Sequence, residues 1–216
     1  MQTDFTDRDL CRVRLRFLDL LKSFFQDEPD AERLSRWRGI FAALDGEQIN
    51  QHLDTAIREL GETLAAKSLQ EIKDEHYSLF VDPYSKNLLP LNGAYYLDGK
   101  SFGPSLAAFR EILKQGQLIK DSGITDPEDS LPIMLDVLIT LVSEEKQGSM
   151  ETRQLQDQLL QQFLIPTTKQ IRDRISRNDE AEFYQKIITF LDVYLELEQG
   201  LLDPSTSSGL DSSSAS

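Results

Sequence analysis

An all-helical bundle is the fold class this sequence predicts, on three observations. Apolar residues recur at three- and four-residue steps in segment after segment, no segment alternates with the period of two that a half-buried strand requires, and the connections between periodic segments are mostly short. No repeat of fixed length is visible.

Thr6-Asp7-Arg8-Asp9 reads as a helix start, with the Thr6 hydroxyl capping a free amide and Asp9 reaching back toward it. The helix is expected to run to about Gln26, with Leu10, Val13, Phe17, Leu20, Leu21 and Phe24 on its apolar face and Arg12, Arg16, Asp19 and Lys22 on the other. After Pro29-Asp30 a second helix carries Leu34, Trp37, Phe41 and Leu44. A third follows Gly46, on the series Ile49, Leu53, Ile57, Leu60 and Leu64, and a short fourth runs from Leu69 to about Phe80. Residues 81 to 103 are punctuated by Pro83, Pro90, Gly93, Gly99 and Gly103, so an ordered loop bearing Tyr84, Tyr95, Tyr96 and Phe102 is expected there. A helix from about Ser105 to Asp121 then ends at Ser122-Gly123.

Thr125 to Pro132 is read as a tight acidic turn feeding a buried helix whose first turn holds Pro132, because a proline deeper in a helix removes a donor and clashes with the preceding turn. Helices are expected from about Glu151 to Leu164, with a break at Pro166, from Lys169 to about Ser176, and from Glu180 to about Glu198. The last has Phe183, Ile187, Phe190, Leu191, Tyr194 and Leu197 on its core side. A Ser-rich stretch from Asp203 to Ser216 lacks the apolar content to pack and reads as a disordered tail.

The chain has 216 residues and a formal charge of −14, from 37 acidic and 23 basic residues. Such a field repels phosphate backbones and attracts basic peptides, so nucleic acid is not expected as a partner. The single cysteine, Cys11, cannot close an internal disulfide, and with His52 and His76 it offers too few soft ligands for a zinc or iron–sulfur site. No run of about 18 apolar residues is available to cross a membrane, and the start Met1-Gln2-Thr3-Asp4 lacks the basic and apolar stretches of a signal peptide. The expected compartment is the cytoplasm, without stable membrane insertion.

Motifs for catalysis are sparse. Gly93 to Ser101 looks like a phosphate-binding loop, but it has five residues between its glycines instead of four, two tyrosines where backbone should meet phosphate, and no strand before it. Neither histidine has a nucleophile in a recognisable elbow. Asp74, Glu75 and His76 occupy successive helical positions, which point around a helix and not to one focus. No catalytic, cofactor-binding or metal-binding residue is assigned, and no cofactor.

Two stretches carry more. In the first, Glu75-His76-Tyr77-Ser78-Leu79-Phe80-Val81-Asp82-Pro83 leads into the aromatic loop through Tyr95 and Tyr96. The second is Asp126-Pro127-Glu128-Asp129-Ser130-Leu131-Pro132, continuing to Leu135-Asp136. Together they resemble the TorD-like family of maturation chaperones for molybdenum-containing reductases. Glu75, Leu79, Phe80 and Pro83 match its first pattern, with His76 where an aromatic usually stands. Asp129, Leu131, Pro132, Leu135 and Asp136 match its second, with Ser130 in place of a histidine. Phe24-Phe25 with Glu28 to Ala31, and Phe163 to Leu195, resemble the family's outer helix pairs.

The resemblance implies an N-terminal helical domain over 1–123, a hinge at 124–132 and a smaller C-terminal helical domain over 133–202. It implies a non-enzymatic chaperone, a monomer or domain-swapped dimer. Its client would be the catalytic subunit of a molybdenum-containing reductase or dehydrogenase, gripped by its twin-arginine signal peptide or another part. The client-binding residues so implied are Glu75, His76, Leu79, Phe80, Pro83, Tyr95, Tyr96, Asp126, Pro127, Asp129, Ser130 and Asp136. Carboxylates suit the guanidinium forks of paired arginines, and aromatics suit an adjoining apolar segment. Asp126 and Asp129 are also expected to cap the helix beginning beside them. Two other readings remain: a weak nucleotide hydrolase using residues 93–101, and an acidic helical scaffold in a multiprotein complex.

Overall fold

The computed structural model describes residues 7–120, 123, 126–145 and 151–202. The expected cap at Thr6, the helix end at Ser122 and the Ser-rich tail lie outside them. Among the described residues the chain is helical, and its one departure toward a sheet is an isolated antiparallel bridge between Asn92 and Ser130. The all-helical class is borne out.

The helices are α1 (Asp7–Ser23), α2 (Ala31–Leu44), α3 (Gln51–Ala66), α4 (Leu69–His76), α5 (Gly93–Asp98), α6 (Pro104–Gln115), α7 (Leu131–Glu145), α8 (Glu151–Leu159), α9 (Ile165–Ile175) and α10 (Glu182–Leu202). π-helical turns extend α4 over Tyr77–Val81 and join α8 to α9 over Leu160–Leu164. The starts follow local chemistry. Asp30 accepts from the Arg33 amide at 2.8 Å and Asn50 from the Leu53 amide at 2.9 Å, while Ser68 and Glu71 form a reciprocal capping box.

α10 is the spine, packed on α3 and α9, and α1 packs on α7. Phe183, Tyr184, Ile187, Ile188, Phe190, Leu191 and Leu195 of α10 are fully enclosed. Around its first turns gathers an aromatic cluster in which Phe24 meets Trp37 with ring centroids 4.5 Å apart and Tyr184 meets Phe80 at 4.8 Å. The Trp37 indole N–H, enclosed with it, donates to Ser23 Oγ at 2.9 Å.

Several boundaries differ from expectation. α1 ends at Ser23, three residues early, and its Leu10 and Val13 are 40% and 38% exposed. Ile49 is exposed as well, because α3 begins after it. The aromatic loop contains a helix, α5, whose Gly99 C-cap sits at φ +72°, a left-handed conformation that favours glycine. α6 stops at Gln115, where Gly116 and a left-handed Gln117 end it. Pro166 does not break the helix: the preceding π-turn, in which the Ile165 amide reaches the Leu160 carbonyl, widens the coil just where the proline lacks a donor. Pro132 sits in the first turn of α7, as its chemistry requires.

Candidate functional site

The two sequence motifs come together through the segment that separates them. From Leu89 onward the chain runs back along both: the Leu89 amide donates to the Leu79 carbonyl at 2.7 Å, the Leu131 amide to the Leu91 carbonyl at 2.8 Å, and the Gly93 amide to the Asp129 carbonyl at 2.8 Å. The π-turn after α4, the start of α5 and the acidic turn before α7 thus form one joined region.

Within it, the buried acids serve as framework. α10 starts after Ala181, which has no side chain to cap with, and Glu75 supplies the missing acceptor. Its two oxygens take the Phe183 amide at 3.1 Å and the Tyr184 amide at 2.7 Å. Burial pushes the Glu75 carboxyl above its ordinary pKa, and those two amides pull against the rise. Asp129 does the same for α5, accepting the Ala94 amide at 2.6 Å while only 1% exposed. Its pKa too is raised by burial and restrained by that amide. The expectation that Asp129 caps the helix beside it is therefore corrected. The bridge to residues 91–93 turns its carboxylate toward the free amides of α5, a short helix whose own Asn92 makes no capping bond. Asp98 repeats the device on the next helix, accepting the Ser105 amide at 2.9 Å, and a Cβ at Gly103 would overlap its carboxylate.

Leu79 is core, and Phe80 packs edge-on against Tyr184, Phe25 and the His76 ring. His76 is buried with Nδ1 unpartnered, and burial holds its pKa below the ordinary histidine value. Ser130 is buried, and among the described residues its hydroxyl, the buried Asn92 amide nitrogen, Asp129 Oδ1 and the Thr167 hydroxyl have no hydrogen-bond partner. Gly93 lets the backbone come close here, since a Cβ there would stand 3.4 Å from Thr167 Oγ1 and 3.5 Å from the Asp129 carbonyl.

The exposed members are fewer. Asp126 and Pro127 are open, as is Pro83, and Tyr77, Val81 and Tyr84 beside it are 55%, 51% and 92% exposed. Asp136 pairs with Lys22 at 2.6 Å and lies on the outer face of α7. Glu128 pairs with Arg110. Tyr95 accepts a hydrogen bond from Arg174 at 2.7 Å, and the same guanidinium lies 5.5 Å over its ring. With Tyr96, Asp173 and Arg177 they line a cleft of about 620 Å³ between α5 and α9. A second cleft, of about 310 Å³, is acidic: Glu71, Asp74, Glu75 and Glu180 line it, with Lys67 the one base.

The match to known proteins falls on this region. The family model described as nitrate reductase delta subunit matches residues 47–170, which is more than half of the chain. The chain belongs to the nitrate reductase delta subunit family. That is the TorD-like family its motifs resemble. A relative described as a probable Tat proofreading chaperone DmsD, from Haemophilus influenzae, is 29% identical over 129 residues. The match covers 57% of this chain and 59% of that relative, so the chain spans little more than half of the relative's length. The matched family region includes α3 to α8 and most of α9, and so both motifs; α1, α2 and α10 lie outside it.

The phosphate-loop reading of 93–101 meets an obstacle. The amides of Gly93 and Ala94, which would have to face a phosphate, are already taken by Asp129, and Gly93 to Asp98 are helical. Sequence reasoning missed a second polar centre as well. Arg14, 4% exposed, donates to Glu198 at 2.8 Å, to Glu145 at 3.0 Å and to Gln156 at 2.7 Å, and the Tyr194 hydroxyl donates to Glu198 at 2.6 Å. The signal was present. Arg14 falls on the same three- and four-residue ladder as Phe17, Leu18 and Leu21, and Glu198 on that of Leu191, Tyr194 and Leu202.

Proposed function

We propose that this chain is a cytoplasmic chaperone that binds the catalytic subunit of a molybdenum-containing oxidoreductase, through a segment bearing paired arginines, and holds it until its cofactor is inserted. The observation that carries this reading is the joining of the two motifs. The hydrogen bonds of Leu89, Leu131 and Gly93 set the acidic turn, α5 and the π-turn side by side, within the region the family model matches. No helix among the described residues is long and apolar enough to cross a membrane.

The division of labour follows from burial. Glu75, His76, Leu79, Asp129 and Ser130 position the surface from within, and Phe80 is wedged among aromatics. Contact falls to the exposed groups: Asp126, Pro127 and Pro83, the neighbouring aromatics, and the outer carboxylates of the acidic cleft, Glu71, Asp74 and Glu180. Open carboxylates receive guanidinium forks at little desolvation cost, and the exposed Tyr77, Val81 and Tyr84 offer apolar area to an apolar stretch next to the arginines. Release comes when the partner folds around its cofactor and withdraws the segment, a shift of population that requires no chemistry on the chaperone.

The test is fluorescence anisotropy with a labelled peptide carrying two adjacent arginines ahead of an apolar stretch, against the same peptide with two lysines. The arginine peptide is expected to bind more tightly, and less so as salt rises, because exposed charges are screened over about 10 Å at 0.1 M. Asp126→Asn should weaken it about threefold to tenfold, an exposed charge-assisted bond being worth roughly 1 kcal/mol. Equal affinity for both peptides, flat in salt, would overturn the reading.

A further inference from the structure

The hairpin of α1 and α2 leaves an opening that the chaperone reading does not use. Val13, Phe17 and Leu20 line one wall and Ile40, Ala43 and Leu44 the other, enclosing about 430 Å³. α1 packs chiefly on α7 and α2 chiefly on α3, so the two helices make little backbone contact with each other. Phe17 is stacked on Tyr194 at 5.2 Å and lies 6.3 Å from Phe190, which puts aromatic residues of α10 behind the groove. Leu10 and Val13 continue the stripe toward the start of α1 and are left 40% and 38% exposed. A helical face with this periodicity is normally covered.

The charges at the rim say what would cover it. Arg16 on α1 and Arg36 on α2 line the groove, and among the described residues neither has an ion-pair or hydrogen-bond partner. Two unpaired arginines on an apolar opening stand out in a chain with a net charge of −14. Asp19 is the one carboxylate on the lining. Arginine at the edge of an apolar site is a common anchor of protein interfaces.

We propose that this groove is a second docking surface, which seats about two turns of an amphipathic helix from a partner protein whose apolar stripe is flanked by Asp or Glu. From Val13 to Leu20 the wall is about 10 Å long at a rise of 1.5 Å per residue, which sets that length. Leucine-type anchors fill the stripe, and carboxylates pair Arg16 and Arg36. A segment with paired arginines is repelled here. The surface is therefore complementary to a different part of a client, or to a different protein, from the one bound at the acidic region, and it does not depend on that reading.

Two synthetic helical peptides with the same leucine stripe, one flanked by glutamates and one by lysines, test this when titrated into the full chain by fluorescence anisotropy. The glutamate peptide should bind about tenfold more tightly than the lysine peptide, and Arg16→Glu with Arg36→Glu should reverse the order. Ile40→Glu should abolish binding of both. Arg16 and Arg36 are exposed, so their variant should keep the wild-type melting curve and its affinity for the paired-arginine peptide. Equal binding of the two peptides, or an order that the arginine substitutions leave unchanged, overturns the proposal. So does a concentration-dependent dimer in sedimentation velocity that Ile40→Glu dissolves, since the occupant is then a second copy.

Discussion

Two buried polar clusters hold this bundle, and they differ in how far their hydrogen bonds are satisfied. Around Arg14, the guanidinium engages Glu198, Glu145 and Gln156, Gln156 donates back to Glu145 at 2.9 Å, and Tyr194 completes Glu198. Burial opposes the charge on Arg14, yet the carboxylates of Glu198 and Glu145 outweigh it and raise its pKa. Around Asp129, by contrast, one carboxylate oxygen, the Asn92 amide nitrogen and the Ser130 and Thr167 hydroxyls have no hydrogen-bond partner among the described residues. A saturated cluster fixes helices in one arrangement, whereas buried groups with bonds still to make mark a place where water or a rearrangement completes the set. The saturated cluster ties α1, α7, α8 and α10 together. The unsatisfied one lies where the two family motifs meet.

Breaking the saturated side should have the largest effect. Arg14→Leu strands the fully buried Glu198 carboxylate and should cost about 3–5 kcal/mol in urea unfolding, with much of the loss recovered when Glu198→Leu is added. A single substitution that costs less than about 1 kcal/mol would show that the cluster is wetter than its geometry implies.

An intermediate effect is expected at Glu75, the acid joining the motif region to α10. Glu75→Ala leaves two buried amides of that helix without their acceptor and should cost about 1–3 kcal/mol, while Glu75→Gln, which keeps one good acceptor, should cost less. The check is the melting temperature of the two variants side by side. If alanine and glutamine are equally mild, water replaces the cap.

The smallest effect, and the sharpest for the comparison, concerns Asp129. Burial raises its folded pKa above the unfolded one, so its ionisation is disfavoured in the folded state. Its contribution to stability is full below the unfolded pKa and is lost as pH rises through the folded value. Asp129→Asn keeps an oxygen for the Ala94 amide and removes that loss. The variant should therefore match or exceed wild-type stability at neutral pH and lose the advantage in acid, where wild-type Asp129 is protonated. His76 acts with the opposite sign, because its lowered pKa withdraws stability as pH falls below about 6.5, the ordinary histidine value. Unfolding midpoints across the acid range, measured on Asp129→Asn and on His76→Phe, separate the two slopes. Parallel curves for wild type and Asp129→Asn would mean that the carboxylate is hydrated.

Much of the candidate region was legible in sequence, since the two motifs named the segments that the structure joins. What was not legible was which of their acids face outward. Glu75 and Asp126 are alike as letters, but one caps a helix more than 100 residues away and the other is open to solvent. The groove between α1 and α2 was hidden for a related reason: Leu10 and Val13 obey the core period, so periodicity assigned them to the interior.

The sequence by itself determined most of the helices, the caps of α2, α3 and α4 and most of the core, because those depend on residues within about four positions of one another, where backbone hydrogen bonds and the 3.6-residue period operate. Asp30, Asn50 and the Ser68–Glu71 box start helices from beside them, and Pro132 can only stand in a first turn. The tertiary structure decided the rest. It gave α10 its cap from Glu75 and α5 its cap from Asp129, placed Arg14 between carboxylates from two distant helices, and left Arg16, two residues away, unpaired beside an open groove. Partners so far apart along the chain meet only after the core has packed, and which buried charge finds which amide is fixed by that packing and not by any local pattern.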